Sequence, residues 1–167
     1  MPETLFETLD SIQVSPLGVD IFEASDVVAV RSGNIYTELS QLYTKVFGGD
    51  IGSGIAYGAC QEYFSCLLCY EDGALVGFKI GWQQQPSIFF SWAGCVAPTS
   101  RKKGYASALM GRQHAWCRDR GFSKVITKCR PSWPEMMSLN RKFGFSISES
   151  YSDKNGSQKY ILELTFT

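Results

Sequence analysis

Apolar positions recur at helical spacing between residues 34 and 47. Ile35, Leu39, Leu42, Tyr43 and Val46 fall on one stripe, which predicts an amphipathic helix. Gly48-Gly49 follows as its stop, because glycine enters the left-handed cap without strain. Upstream, residues 12–23 hold an expected first strand around Gly18–Phe22. Ile51–Ser65 is less regular, and a short second helix is expected over Tyr57–Phe64, flanked by glycine-rich loop. The pattern then shortens to period two. Cys66–Tyr70 reads as a strand, Glu71-Asp72-Gly73 as a hairpin turn and Ala74–Gln83 as its partner. Ser87–Val96 is almost wholly apolar, as a central strand covered on both faces would be. Gly94 inside it marks a bulge or a place where another backbone comes close.

Gly104–Arg120 is the strongest helical pattern, and Gly121 ends it. Lys124–Cys129 is a strand. Ser132-Trp133-Pro134-Glu135 has capping-box spacing and opens a helix that runs to about Lys142. Phe145–Tyr151 and Gln158–Phe166 form a closing hairpin around Asp153-Lys154-Asn155-Gly156. The expected class is therefore α/β (α+β): a mostly antiparallel sheet of six to seven strands, about four helices, and one βαβ crossover from Ser87 to Cys129. With 167 residues and no linker or repeat, residues 1–167 are expected to form one domain.

Charge sharpens this picture. The formal net charge is zero, which argues against a general nucleic-acid binder. The zero hides an asymmetry: residues 1–100 carry net −8, residues 101–142 net +9 and residues 143–167 net −1. Two readings stay open, an anion site facing a cation site or charges spread over two faces. No stretch has membrane-spanning length, and the acidic start MPETLFETLDS lacks a signal-peptide pattern, so the expected setting is the cytoplasm. Six cysteines sit mostly in apolar runs and read as free thiols. Cys66 and Cys69 form a lone CxxC whose side chains would point to opposite faces of a strand, so no metal site is expected. His114 is the only histidine and stands without a ligand cluster or a triad partner; a packing or surface role is expected.

The candidate chemistry lies between Val96 and Ala106. Arg101, Lys102 and Lys103 are three consecutive cations just before a helix. They are unfavourable beside the positive end of a helix dipole unless an anion joins them, in which case the free N–H groups, the dipole and the cations cooperate. Gly104 and Ala106 keep that backbone bare. A solvated basic cap is the plainer alternative.

Arg101-x-x-Gly104-x-Ala106 after a strand ending in Val96-x-Pro98 resembles motif A of the GNAT superfamily of N-acetyltransferases. Met136-x-x-Leu139-Asn140-x-x-x-Gly144-Phe145 is similar to a motif B ending in N-x-x-x-G-F. The element order agrees from about residue 12, and FFSWAGCVAP, RQHAW and Trp133 look like a bacterial-type subgroup. The resemblance implies acetyl-CoA as co-substrate, with pantetheine in a gap between strands 87–96 and 124–129. It implies that Cys95 and Val96 supply backbone groups there. Lys102, Lys103, Gly104, Tyr105 and Ala106 would then offer N–H groups to the pyrophosphate, with Arg101 beside them. Many family members carry a tyrosine on the last helix that protonates the leaving thiolate; Asn140 stands in its place. Two readings of Asn140 stay open, a contact to the coenzyme near its thiol or a structural amide.

The expected reaction is direct acetyl transfer to a primary amine in a ternary complex. A backbone N–H near Val96 would serve as oxyanion donor. The acidic first half points to a cationic acceptor, a small metabolite or a peptide amine. Glu38, Asp50 and Glu62 are its candidate carboxylates, and Glu62 among Tyr57, Tyr63 and Phe64 is the candidate base; a solvent-facing glutamate is the plainer reading. A non-catalytic acyl-CoA-binding or interaction module is the competing function. No nucleic-acid or membrane partner is expected, and homodimerisation is left open.

Overall fold

The computed structural model describes residues 9–14, 20–24 and 33–167. Eight strands form one sheet: β1 (Leu9–Val14), β2 (Asp20–Ala24), β3 (Ser65–Glu71), β4 (Ala74–Gln85), β5 (Ile88–Val96), β6 (Lys124–Cys129), β7 (Ser146–Ser152) and β8 (Gln158–Thr165). Their spatial order is β1-β2-β3-β4-β5-β6-β8-β7. Only β5 and β6 run parallel, as the crossover expected from Ser87 to Cys129 requires. β1 is an addition to the seven strands read from the sequence. The first expected strand is shifted to β2, and residues 18 and 19 lie outside the described residues. Among the described residues four helices flank the sheet: α1 (Gly33–Phe47), α2 (Gly52–Ala59), α3 (Tyr105–Asp119) and α4 (Pro134–Lys142).

The turns follow their sequence chemistry. Asp72 (φ 51°) and Gly73 (φ 77°) are both left-handed, the geometry of a tight two-residue hairpin. Asp153 accepts the N–H groups of Asn155 and Ser157 at 2.9 and 3.0 Å and so closes the last hairpin. The expected capping box does not form. The helix starts one residue later, with Trp133 at the N-cap position and Pro134 at the first helical position, and no side chain caps it.

The second helix departs most from expectation. It spans Gly52–Ala59 rather than Tyr57–Phe64, and Tyr63 adopts φ 52° as the chain turns into β3. A run containing three glycines reads as loop because each lowers helix propensity by about 1 kcal/mol. Here two of them face indole rings. A Cβ on Gly54 would lie 2.1 Å from Trp92, and one on Gly58 would lie 2.5 Å from Trp82. The two indoles meet with centroids 5.4 Å apart. The packing of Trp82 and Trp92 against a bare helix face thus outweighs propensity.

Along β4, Val76, Phe78, Ile80 and Trp82 join α1 and α2 in one apolar cluster. On the other face Gly77 meets Leu109 of α3. A second cluster joins Phe89, Trp116, Phe122, Val125 and Leu162 with Met137 of α4. Cys66 pairs with Ile80 and Cys69 with Gly77, so the two CxxC thiols do lie on opposite faces. His114 is 3% exposed, with Phe143, Phe145 and Phe166 rings 5.6–5.9 Å away, in the expected packing role. Desolvation first, then Lys79 and Arg118, bring its pKa down to about 4.

Two glycine substitutions are expected to act with opposite sign. Gly54→Ala, though better for a helix, meets Trp92 and should cost roughly 1–3 kcal/mol with a change in tryptophan fluorescence. Gly111→Ala in α3 meets only Phe143 at 3.9 Å and should gain about 0.5–1 kcal/mol. Urea unfolding of both variants decides; equal signs would contradict the packing assigned to α2.

His114 also gives the fold an acid-sensitive element. Its folded pKa lies below the unfolded value, so stability is full above about pH 6.5 and falls as pH drops toward 4. His114→Phe should remove roughly 2–3 kcal/mol of that pH-dependent loss. Identical stability slopes in both proteins between pH 6.5 and 4 would refute it.

Candidate active site

β5 and β6 are joined by four rungs, Ile88–Lys124 to Ser91–Thr127, and then part. The last rung is reinforced by the Thr127 hydroxyl, which donates to the Ser91 carbonyl at 2.9 Å. Beyond it β5 stays paired with β4 as far as Val96, and β6 stays paired with β8 as far as Cys129. Each strand follows its outer neighbour, so a wedge opens between them.

The register shows what lines that wedge. Ala97 N–H donates to the Val76 carbonyl at 2.7 Å, a hydrogen-bonded rung across β4 and β5. Antiparallel rungs alternate, so Cys95 turns its backbone to Phe78 whereas Gly94 and Val96 turn theirs into the wedge. The Val96 carbonyl is taken by Arg101 Nε at 3.1 Å. Of the two residues expected to supply backbone groups, Val96 is the one whose N–H turns into the wedge. Cys95 contributes a half-buried thiol that desolvation pushes up to about 12. Gly94 faces the wedge as well. A Cβ there would meet the Phe78 carbonyl at 3.2 Å and Lys79 Cγ at 3.3 Å. The bulge in β5 lies at Trp92, not Gly94: Ile80 pairs with Ala93 and Gly81 with Ser91.

The wedge opens into a cleft of about 960 Å³ that reaches from Phe78 and Lys79 past Gly94–Val96 to the turn before α3. Its far wall is Trp133–Met136 and Leu139 of the α4 start, and Val46 and Phe47 close the mouth from α1. In the turn, Pro98–Ser100 is a short 3₁₀ element, and Lys102 (φ 62°) and Gly104 (φ 87°) are left-handed. Such residues gather successive N–H groups on one side as an anion nest. No side chain caps the start of α3, so its first N–H groups are open to a ligand.

One carboxylate already stands beside this turn. Glu71, at the end of β3, accepts hydrogen bonds from Ser100 Oγ at 3.3 Å, Lys103 Nζ at 3.1 Å and the Tyr105 hydroxyl. Those bonds, the Tyr105 bond first, lower the Glu71 pKa, and the same bond pushes the Tyr105 phenol up to about 12. The sequence suggested only a hairpin role for Glu71; its pairing with residues 29 to 34 positions on is tertiary. The Tyr105 ring is buried against the sheet side of α3.

The remaining candidates lie elsewhere. Arg101, Lys102, Gly104, Tyr105 and Ala106 line the cleft, while Lys103 turns to Glu71. Asn140 is 2% exposed, and its main-chain carbonyl accepts N–H groups of Phe143 and Phe145 where α4 hands over to β7; on this helix Glu135, Met136 and Leu139 line the cleft. Glu62 is exposed at the opposite end of β4, its carboxylate 3.5 Å from Gln83 Nε2. Gln83 pairs with Phe89, on the far side of the closed rungs from the wedge. Glu38 accepts from the Tyr70 hydroxyl at 3.0 Å. Asp50 is exposed and adjoins Tyr43, whose hydroxyl it shares as neighbour with Cys95 of the cleft. Lys79, which the sequence reading passed over as a strand residue, lines the cleft floor. No group of metal-ligating side chains occurs among the described residues, and none of the helices is long and apolar enough to cross a membrane.

The model of the acetyltransferase (GNAT) family matches residues 36–145. The chain belongs to the GNAT acetyltransferase family. Membership carries N-acetyltransferase activity with acetyl-CoA as the acetyl source. Solved GNAT structures share the fold. The ribosomal-protein-S18-alanine N-acetyltransferase from Escherichia coli superposes with a TM-score of 0.71 at 14% identity, over 88% of this chain and 94% of that one. A GNAT family acetyltransferase from Elizabethkingia anophelis with acetyl-CoA bound gives 0.71 at 12% identity, over 89% and 98%. Ard1 from Thermoplasma volcanium gives 0.68 at 19% identity, over 77% and 88%. No curated protein matches the chain.

If the turn holds the pyrophosphate, Gly104→Val should raise the acetyl-CoA dissociation constant at least about tenfold, because valine strains the left-handed residue and crowds the nest. Arg101→Ala should raise KM for acetyl-CoA roughly three- to tenfold with kcat nearly unchanged, since its contact is common to ground and transition states. Isothermal titration and steady-state kinetics check both; unchanged affinity in Gly104→Val would refute this placement.

Proposed function

We propose that this GNAT protein moves the acetyl group of acetyl-CoA directly to the primary amine of a cationic small molecule or peptide. The observation that carries the coenzyme half is the wedge: two strands parted beyond Ser91 and Thr127, with the anion nest at its open end. An extended polar arm that begins at the nest can run back along β5 toward the last rung. The backbone groups of Gly94 and the Val96 N–H are then available to it as an added strand edge. Cys95, Val96, Arg101, Lys102, Gly104, Tyr105 and Ala106 are the residues we assign to the coenzyme. Lys103 and Asn140 support the site from outside the cleft, Lys103 through Glu71 and Asn140 through the join of α4 to β7.

In this reading the protein supplies position and charge rather than a covalent nucleophile. A backbone N–H near Val96 would stabilise charge developing on the thioester oxygen, a contact typically worth about 3–4 kcal/mol in such sites. Cys95 has no histidine beside it and its thiol is held protonated, so no acyl-enzyme step is assigned to it.

The acceptor enters between the end of α1 and the start of α4. Phe47 and Trp133 meet there as a tilted pair with centroids 5.3 Å apart, and Asp50 on the α1–α2 loop adjoins Tyr43, whose ring meets Phe47 at 4.8 Å. An apolar wall beside a carboxylate favours an ammonium carried on an apolar body. Of the three carboxylates, Asp50 is the one whose neighbour Tyr43 also adjoins the cleft, and we assign the acceptor contact to it rather than to Glu62. The acid-poor cleft is also what a non-catalytic coenzyme-binding module would have, and the same assay separates the two.

Titration with acetyl-CoA followed by a thiol-release assay over matched cationic, neutral and anionic primary amines is the test. Binding in the micromolar to millimolar range and a preference of at least about tenfold for cationic amines are expected, with the preference reduced by Asp50→Asn. Binding without turnover across the panel would favour the non-catalytic module. Equal rates on all three amine classes would contradict the charge argument.

A further inference from the structure

Lys79 is the only buried lysine among the described residues, at 7% exposure. It rises from the middle of β4 opposite Gly94. Theirs is a non-hydrogen-bonded rung, the kind in which side chains stand closest. The lysine stem runs over Gly94, as its Cγ lies 3.3 Å from where a Cβ would be. Lys79 is one of the residues that line the cleft, and its charge acts on His114 and Cys117 of α3.

The groups around it are few. β3 presents Leu67, β5 presents Gly94, and α3 presents His114 and Cys117, with Arg118 acting on the same histidine. None of the described hydrogen bonds or ion pairs involves Lys79, and no described carboxylate contributes to its charge environment. Burial brings its pKa down to about 8. An unpaired buried ammonium is costly, and a negative group on a ligand in the cleft would offset that cost.

The other titratable groups of the cleft are poorly placed to release a proton at its floor. The Cys95 thiol and the Tyr105 phenol are both pushed up to about 12, and the phenol is bonded to Glu71. Arg101 is turned onto the Val96 carbonyl. Lys102 is exposed on the nest, and Glu135 is exposed at the first turn of α4. Asn140, which stands where relatives carry an acidic phenol, is packed away from the cleft.

We propose that Lys79 is the general acid of the transfer, its Nζ reaching the coenzyme sulfur across Gly94. The assignment rests on the coenzyme reading of the cleft. As the acceptor nitrogen bonds to the acetyl carbon, the C–S bond breaks and its electron pair stays on sulfur. Lys79 gives sulfur a proton and becomes a neutral amine. The proton shed by the acceptor nitrogen returns it to ammonium through water, so the cycle consumes only the amine and acetyl-CoA. General acids of this kind contribute about 10²–10⁴-fold.

The test needs no knowledge of the acceptor. The full chain is saturated with coenzyme A, and the ultraviolet absorbance of the thiolate is followed against pH, with desulfo-coenzyme A as blank. In the native protein the bound thiol should ionise with a constant at least about tenfold larger than free coenzyme A. In Lys79→Met that gain should vanish, while affinity for coenzyme A stays within about threefold and the thermal midpoint is equal or higher, because an unpaired buried charge is gone. Lys79→Arg should keep much of the thiolate gain through its fixed charge yet lose at least about 100-fold in kcat with any amine the native protein acetylates. A bound thiol that ionises like free coenzyme A in the native protein, or equally in native and Lys79→Met proteins, overturns the role of Lys79 and leaves the coenzyme site standing. Failure of the native protein to bind coenzyme A overturns both.

Discussion

The whole site depends on one sheet failing to close. Four rungs hold β5 to β6, and beyond Thr127 each strand keeps faith with its outer neighbour instead. The price is a row of unpaired backbone groups on the inner edge of β5, at about 1–3 kcal/mol for each that is buried and unmet. Arg101 meets one of them by donating to the Val96 carbonyl. The rest stay available to a ligand. A cleft made by withholding backbone pairing recognises an extended polar arm through the same bonds a ninth strand would use. It needs little help from side chains, and the described lining residues of β5 are accordingly small: Gly94, Cys95 and Val96.

The closed part of the sheet makes that opening possible by being rigid. Trp82 and Trp92 fill the face under α2, wedged against Gly54 and Gly58, while Tyr43 stacks on Trp92 with centroids 6.1 Å apart. Trp92 is itself the bulged residue of β5, so the strand bends at the first residue after its last rung with β6. Bulge, indole and bare helix face therefore form one device. It bends β5 away from β6 and fixes the bend with large aromatic surfaces.

These features differ in how far they could be read from residues alone. The basic turn was legible because its signals are local: three cations, a glycine and a helix start follow one another, and the structure adds only their left-handed backbone. The hairpins and α3 were legible for the same reason. The α2 helix was not, because the glycines that argue for loop in isolation are explained only by two tryptophans from β4 and β5. The Ser132–Glu135 spacing misled in the opposite direction, since Pro134 sets the helix start one residue too late for Ser132 to cap it. Glu62 could be a base only if the aromatic residues around it in sequence buried it; Tyr57 and Tyr63 are 61% and 50% exposed, and the plainer solvent-facing reading of the carboxylate holds. Glu71 and Lys79 went unnoticed because a carboxylate next to a turn and a lysine alternating along a strand look ordinary until their surroundings across space are known.

The charge asymmetry shows the same limit from another side. The positive stretch from 101 to 142 left two readings open, an anion-facing site or charges spread over two faces, and its first three residues stand at the turn before α3. Others serve the core. The Arg118 and Arg120 guanidinium groups lie over the Phe166 and Trp116 rings at 4.3 and 4.0 Å, covering aromatic faces that would otherwise meet water. Lys124 pairs with Glu163 across β6 and β8 at 3.1 Å. A segment's net charge therefore overstates the field at the cleft. What remains there is a short-range arrangement: cations at the nest, a carboxylate that holds Lys103 to one side, and a single ammonium at the floor. Exposed cations at the nest are screened within about 8–10 Å by physiological salt, whereas the buried ammonium is screened much less. The strongest unopposed positive charge acting on the inner end of a bound arm is therefore Lys79, although the sequence concentrates its cations at the other end.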